Sequence, residues 1–384
     1  MTRKVCVVIT ARPSYSRVRS VLSAIRDHAA LELQLVVAAS ALLNRYGATE
    51  NTILAEGFAI DRRVYMIMEG ENLVTSAKST GIGLGELATV FDDLRPDVVV
   101  TVADRFETMA TAVAASYLNI PLAHIQGGEV TGSIDEKVRH AVTKLADLHF
   151  VASENAHERV IKLGERPETV FVTGCPSIDV AKQALAQPDP DFNVFERYTG
   201  VGPLLDLNDG YLVVMQHPVT TEYEESRRHV EETLHAVNDL GIATLWFWPN
   251  VDAGADGTSS AIRTFRETYV PGNIHFFKST GPEDFVRILD ASECIVGNSS
   301  AGIRECAYLG LPAVNIGSRQ AGRDRGKNVR DVDYDRTAIG AAIEACRREG
   351  RFQPDFIYGQ GGAGTRIADA LATIELSVEK RLPY

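Results

Sequence analysis

The sequence is poor in the features that mark several large protein classes. Its 384 residues hold only five cysteines, at positions 6, 175, 294, 306 and 346, with no Cys-x-x-Cys pair. That spacing offers neither a disulfide framework nor a structural zinc site, and it fits a reducing compartment, so a cytoplasmic location is expected. No apolar run approaches the roughly 20 residues that a membrane span needs, and with the first apolar stretch starting at Lys4 no secretory leader is expected. Positive charge is also in deficit, with 39 Lys and Arg against 51 Asp and Glu and a formal net charge of -12. A general binder of nucleic acid or of anionic membrane needs a basic surface, so neither partner is expected. The chain lacks the Walker motif GxxxxGK[ST]. It also lacks a Gly-x-Gly-x-x-Gly followed some 20 residues later by an acid, which excludes a P-loop ATPase and argues against a dinucleotide cofactor. There is no His-Glu-x-x-His, so no metal is expected, and no nucleophile elbow.

What the sequence does contain is a repeating alternation. Apolar runs of strand length, at Lys4–Thr10, Leu33–Ala39, Arg63–Met68, Asp97–Val102, Ile120–Ile125, His149–Ala152 and Thr169–Thr173, are separated by helix-spaced stripes, including a long one from Asn72 to Leu94. Proline and acid then interrupt the pattern at Gln187–Phe192. It restarts with Tyr211–Gln216, Ala243–Trp248, Asn273–Phe277, Glu293–Val296 and Ala313–Ile316. Uninterrupted apolar strands alternating with helices predict doubly wound parallel sheets. Two such halves are expected, over residues 1–185 and 186–364. A helix from Thr365 to Glu379 is expected to return to the first half as a separate C-terminal element over 365–384.

Chemistry-bearing residues collect where these strands end. The densest stretch is His124-Ile-Gln-Gly-Gly-Glu129-Val-Thr-Gly-Ser-Ile-Asp135-Glu136-Lys-Val-Arg139-His140, which runs from a strand through a glycine turn into a helix. Arg12 follows the first strand, and Asp104-Arg105-Phe-Glu107 follows another. In an open α/β sheet this edge is where ligands bind. A guanidinium beside a helix start suits phosphate; the plainer alternatives are a surface arginine in a turn and a structural ion pair at 104–107. In the second half, Gly297-Asn-Ser299-Ser300-Ala-Gly302 predicts a helix start able to hold an anion, with Glu305 placed to accept hydrogen bonds from ribose hydroxyls, against the alternative of a simple serine cap. His217 ends a strand just before Pro218.

Taken together and in order, these stretches resemble the UDP-N-acetylglucosamine 2-epimerases, and within them the hydrolysing branch that releases N-acetylmannosamine for sialic acid synthesis. The resemblance is carried by Arg12-Pro-Ser-Tyr-Ser16, Asp104-Arg-Phe-Glu107, the 124–144 stretch, Gly174-Cys-Pro-Ser177, Gln216-His-Pro-Val-Thr-Thr221, Pro249-Asn-Val-Asp-Ala-Gly254, Gly297–Glu305 and Gly317-Ser-Arg-Gln-Ala-Gly-Arg323. It implies a GT-B architecture, with two Rossmann-like domains and a nucleotide sugar, UDP- or GDP-linked, in a cleft between them. It further implies a homodimer or homotetramer and no cofactor. Carried over by position, Ser299 and Ser300 would bind the diphosphate, Glu305 the ribose, and Arg319 and Arg12 the phosphates. His217 would face the diphosphate or the sugar, and Asn250 and Asp252 would line the cleft. Ser16, Arg105 and Lys278, on the same strand ends, complete the expected substrate-binding set. Asp104 is expected as the base, with Asp135 or Glu129 as its partner. Relatives commonly carry Glu where this chain has Gln126, and an amide cannot exchange a proton at neutral pH. That leaves the base role to Asp104, Glu129 or Asp135, or places the chain in a subgroup acting on a diacetamido-trideoxy or GDP-linked sugar. A non-hydrolysing epimerase, a GT-B glycosyltransferase and a non-catalytic sugar-nucleotide sensor are the competing expectations.

Overall fold

A computed structural model describes residues 2–44, 47–70, 72–131, 134–249 and 254–381. Contacts divide the chain into two compact units. The first comprises Met1–Glu129, Ile134–Val180 and Tyr358–Tyr384, and the second Val130–Ser133 and Ala181–Ile357. Each is a doubly wound α/β unit of Rossmann type, so the fold class is α/β, of the GT-B kind.

The first unit holds β1 (Arg3–Ile9), β2 (Leu31–Ala38), β3 (Arg62–Val64), β4 (Val98–Val102), β5 (Leu122–Ile125), β6 (Leu148–Val151) and β7 (Val170–Val172). Among the described residues they form a parallel sheet in the order β3-β2-β1-β4-β5-β6-β7. Its helices are α1 (Arg12–Asp27), α2 (Thr49–Ala55), α3 (Leu73–Leu94), α4 (Phe106–Tyr117), α5 (Ile134–Leu145), α6 (Glu154–Lys162) and α7 (Pro176–Ala186). Apolar cores lie on both faces of this sheet, one taking Val18, Leu22 and Ile25 of α1, the other Leu87 and Phe91 of α3 and Val142 of α5. A sheet covered on both sides needs strands that are apolar throughout, which is why β1 and β4 read as unbroken runs. Helix α3 starts where Asn72 accepts hydrogen bonds from the Val74 and Thr75 amides while the Thr75 hydroxyl accepts from the Asn72 amide, a reciprocal cap.

The second unit opens with α8 (Val194–Arg197) and β8 (Gly200–Val201). It continues through β9 (Leu212–Met215), β10 (Thr244–Phe247), β11 (Ile274–Phe277), β12 (Cys294–Gly297), β13 (Ala313–Ile316) and β14 (Val329–Val332). The sheet order is β14-β13-β12-β9-β10-β11-β8. Its further helices are α9 (Ser226–Leu240), α10 (Ala255–Tyr269), α11 (Pro282–Ala291), α12 (Glu305–Leu309) and α13 (Arg336–Glu349). Strand β8 corrects the expectation of purely parallel pairing: it runs antiparallel to β11, at an edge where a two-residue strand suffices.

The C-terminal helix α14 (Ala363–Thr373) belongs to the first unit and buries Ile367, Ala368 and Leu371. Asp179 receives the Ala363 and Gly364 amides at 2.9 and 2.7 Å, an acid at a helix N-terminus. The helix is shorter than expected. It stops at Thr373, and the following residues run on without helix while Ile374 and Leu376 pack into the core.

Candidate active site

Strand order determines where each unit can bind a ligand. In the first sheet the chain winds outward to β3 on one side of β1 and outward from β4 on the other, so the crevice opens at the carboxyl ends of β1 and β4. Arg12, the first residue of α1, stands at the first of these ends and Asp104 at the second. Burial pulls the Arg12 guanidinium below its ordinary pKa, as expected of a cation withdrawn from water. Ser16 lies on the same helix, its hydroxyl on the Arg12 carbonyl at 3.3 Å.

Asp104 is held from two sides. The wholly buried Arg139 of α5 forms an ion pair with it, and Arg17 of α1 approaches to 3.9 Å. Arg139 also donates to the Gln126 carbonyl, tying the strand β5 exit to α5. Arg105 pairs with the fully buried Glu107 at 3.2 Å. The turn after β5 is built from constrained backbone. Gln126 has φ +65 and Gly128 φ +73; a Cβ on Gly128 would stand 2.3 Å from the Ala156 carbonyl oxygen. Only glycine admits that approach of α6 to the loop. Gln126 is buried, its Nε2 3.0 Å from the Cys175 sulfur, while its Oε1 is buried and unpaired among the described residues. Glu129 is likewise buried, and Asp135 lies half-buried in the first turn of α5.

Beneath this cluster sits His124. Its Nε2 is 2.8 Å from the Ala103 carbonyl and its Nδ1 3.1 Å from the Thr143 hydroxyl. A carbonyl can only accept, so Nε2 carries the hydrogen and Nδ1 accepts from Thr143. Burial holds the ring at a pKa of about 3, against the pull of the Ala103 hydrogen bond, so it is neutral. Ala103, with φ +67, directly precedes Asp104. The histidine therefore fixes the backbone that presents the carboxylate.

In the second unit the order reverses between β9 and β12. His217 follows the first of these strands and Asn298, Ser299 and Ser300 the second. The two loops are clasped: the His217 amide donates to Asn298 Oδ1 at 2.7 Å, and Asn298 Nδ2 donates to the His217 carbonyl at 2.8 Å. Gly297, with φ +127, permits it, since a Cβ there would lie 2.2 Å from the Met215 oxygen. Arg319 and the buried Gln320 both donate to the Asn298 carbonyl, at 3.1 and 2.8 Å, bringing the β13 exit to the same point. Glu305 is half-buried with its Oε2 enclosed and unpaired among the described residues, an acceptor suited to hydroxyl donors.

One expectation here needs correction. The serines do not open a regular α-helix: Ser300–Gly302 is a single 3-10 turn capped by Ser299, and the five-residue α12 begins only at Glu305. The tight glycine-serine turn takes the place of a long helix start, so anion binding there would rest on hydroxyls and on Arg319 more than on a helix dipole. Lys278 is exposed at the end of β11. Asn250 and Asp252 lie outside the described residues.

The structure thus gathers Arg12, Ser16, Asp104, Gln126, Glu129 and Asp135 on one edge of the first unit, and His217, Ser299, Ser300, Glu305 and Arg319 on one edge of the second. Sequence reasoning gave no role to Arg17, Asn298 or Gln320, and quoted His124 and Arg139 without assigning them one. Arg17 follows the expected site residue Arg12 on α1 and Arg139 follows Asp135 on α5, each a little over a turn on, a signal that was readable; the Asn298 clasp depends on strand order, which was not. Among the described residues, no group of His, Cys, Asp or Glu is placed to hold a metal ion, and no helix is long and apolar enough to cross a membrane.

A family model described as UDP-N-acetylglucosamine 2-epimerase matches residues 23–372. The UDP-N,N'-diacetylbacillosamine 2-epimerase (hydrolyzing) of Legionella pneumophila is 33% identical over 377 residues, covering 98% of this chain and 97% of that protein. The UDP-N-acetylglucosamine 2-epimerase of Neisseria meningitidis serogroup B is 29% identical, over 99% and 98% of the two chains. A crystal structure of UDP-GlcNAc 2-epimerase from Neisseria meningitidis bound to UDP-GlcNAc superposes with a TM-score of 0.80 at 18% identity, covering 96% of this chain and 99% of the other; that likeness concerns the fold.

Proposed function

We propose that this chain, which belongs to the UDP-N-acetylglucosamine 2-epimerase family, is a hydrolysing 2-epimerase. On this reading it converts a UDP-linked N-acetylglucosamine-type sugar to the free 2-epimer and UDP, in the cytoplasm, for sialic or related nonulosonic acid synthesis, and works as a homodimer or homotetramer. The observation that carries the reading is Asp104, a carboxylate ion-paired with a buried arginine at the sheet's switch point, within a cluster that also holds Arg12, Glu129 and Asp135. Supporting it is the full-length similarity to a relative whose name specifies hydrolysis.

The chemistry requires both charges. In the first step the C1–O bond breaks, its electron pair leaves with the diphosphate, and the developing charge at C1 acidifies the hydrogen on C2. Asp104 takes that proton and a C1=C2 double bond forms, with Glu129 or Asp135 as the second acid. Arg12, Arg319 and the Ser299–Ser300 turn stabilise the departing diphosphate. Water then adds its oxygen to C1 while a proton reaches C2 from the opposite face, and the sugar is released inverted at C2. Gln126 contributes hydrogen bonds and no proton. A diacetamido-trideoxy sugar is the second reading, favoured by the 33% identity to the Legionella relative over the 29% to the Neisseria one.

Incubation without any acceptor, with UDP- and GDP-linked monoacetamido and diacetamido sugars, tests the assignment by NMR of the products. Free 2-epimer plus nucleoside diphosphate is expected. Recovery of an intact epimerised nucleotide sugar would make the enzyme non-hydrolysing, and product formation only on adding an acceptor would make it a transferase.

A further inference from the structure

Beyond α14, the ammonium of Lys380 reaches onto the first unit. Lys380 Nζ donates to the Thr143 carbonyl at 3.2 Å, in the last turn of α5, and to the carbonyl of Ala146, the residue just after that helix. It also pairs with Glu165 at 2.6 Å. Glu165 is buried and receives Lys144 at 2.6 Å and His149 at 3.1 Å as well. Burial alone would raise its pKa, but these three donors overcome that and hold it at about 2, so the anion that anchors Lys380 persists at neutral pH. A helix C-terminus leaves its final carbonyls unsatisfied and carries partial negative charge, and an ammonium answers both.

Helix α5 is the element that this cap holds, and its buried face is Arg139, Val142 and Thr143. Arg139 and Thr143 lie one turn apart, about 6 Å along the axis. Arg139 grips Asp104, while the Thr143 hydroxyl reaches His124, whose other nitrogen holds the carbonyl of Ala103 next to Asp104. The connections close into a ring: α5 to Asp104 directly, and α5 back to Asp104 through Thr143, His124 and Ala103. The position of the end of α5 bears on both arms of that ring, and Lys380 is among the groups that hold that end, with Ser116 and Lys144.

We propose that Lys380 is a positioning residue for the acid cluster, and that the C-terminal segment acts as a strap which keeps Arg139 and His124 in register with Asp104. The inference rests on the proposed epimerase reading for its kinetic consequence, though not for its structural one.

The test compares Lys380→Met and Lys380→Arg with the wild-type full chain, by steady-state kinetics on whichever nucleotide sugar the wild type turns over and by hydrogen-deuterium exchange mass spectrometry of peptides spanning 134–146. Lys380→Met should lower kcat about tenfold with KM within about twofold, and speed exchange at the end of α5 by about tenfold. Lys380→Arg should recover most of both. Wild-type kcat and exchange in Lys380→Met would overturn the proposal. So would exchange that rises equally across the whole chain, or an arginine variant no better than methionine. If the wild type turns over no nucleotide sugar, the epimerase reading fails, and the exchange measurements still decide whether Lys380 holds α5.

Discussion

The Asp104 carboxylate and the Arg139 guanidinium are an ion pair in which the arginine has no exposed side chain and the aspartate retains only 10%. Removing one partner of such a pair strands the other in a medium that solvates it poorly. Replacing Asp104 with Asn keeps the shape and deletes the charge. We expect Asp104→Asn to lower unfolding free energy by about 3–5 kcal/mol, read from a denaturant titration. Turnover should fall by at least about 100-fold in the folded fraction. UDP affinity by calorimetry should stay near wild type, because the expected diphosphate contacts lie largely in the second unit. A folded variant with near wild-type turnover would move the base role to Glu129 or Asp135.

Acid should destabilise the protein before its carboxylates titrate. Burial depresses the pKa of His124 to about 3 and lowers that of His149 as well, from an ordinary value of 6.5. The unfolded chain therefore binds protons near pH 6.5 that the folded chain refuses, so this contribution is complete above pH 6.5 and is lost as pH falls toward the folded values. Glu165 adds its own loss only below its ordinary 4.5, as pH falls toward about 2. Between pH 6.5 and 4.5, His124 should cost up to about 1.4 kcal/mol per pH unit, and His149 adds a loss of the same sign. Urea midpoints across that window should fall with acid, and more shallowly in His124→Gln than in wild type. Equal slopes would mean that the imidazole is not buried neutral.

Asn298 is the clasp of the second unit. Asn298→Ala removes both hydrogen bonds to the His217 backbone, at a cost of about 1–3 kcal/mol. The β9 and β12 exits would then separate, so UDP affinity should weaken about tenfold or more. Calorimetry showing unchanged affinity would remove this clasp from the binding site.

The alternation of apolar runs was enough to read both doubly wound sheets, because a strand buried on two faces has no polar positions to blur its length. Asp104 and Arg12 were legible for a related reason: each directly follows such a run, so its place at the carboxyl edge needs no knowledge of tertiary contacts. The short strands β8 and β14 were missed, since two to four residues at a sheet edge carry little pattern. The helix after Ser300 was overcalled because serines and glycines that cap a helix also suit a 3-10 turn. The tail helix was overextended because Ile374 and Leu376 continue an apolar pattern while serving the core from extended backbone. Arg139 and His124 sit 35 and 21 residues from the groups they hold, and only the folding of β4, β5 and α5 brings them together.

The loop carrying Gln126 and Glu129 depends on Gly128. Gly128→Ala combines a left-handed backbone with a contact of 2.3 Å to the Ala156 oxygen, so α6 or the loop must shift. A loss of roughly 1–3 kcal/mol is expected, read as a lowered thermal midpoint, together with reduced turnover. An alanine variant as stable and as active as wild type would contradict the close packing of α6 on this turn.

The most direct test of the central claim is the fate of the hydrogen on C2 when the reaction runs in deuterium oxide. Removal by Asp104 and return of a solvent proton from the other face predict a released sugar inverted at C2 and carrying one deuterium there, seen by NMR as loss of the H2 signal. Inverted sugar that retains its original hydrogen at C2 would contradict the account.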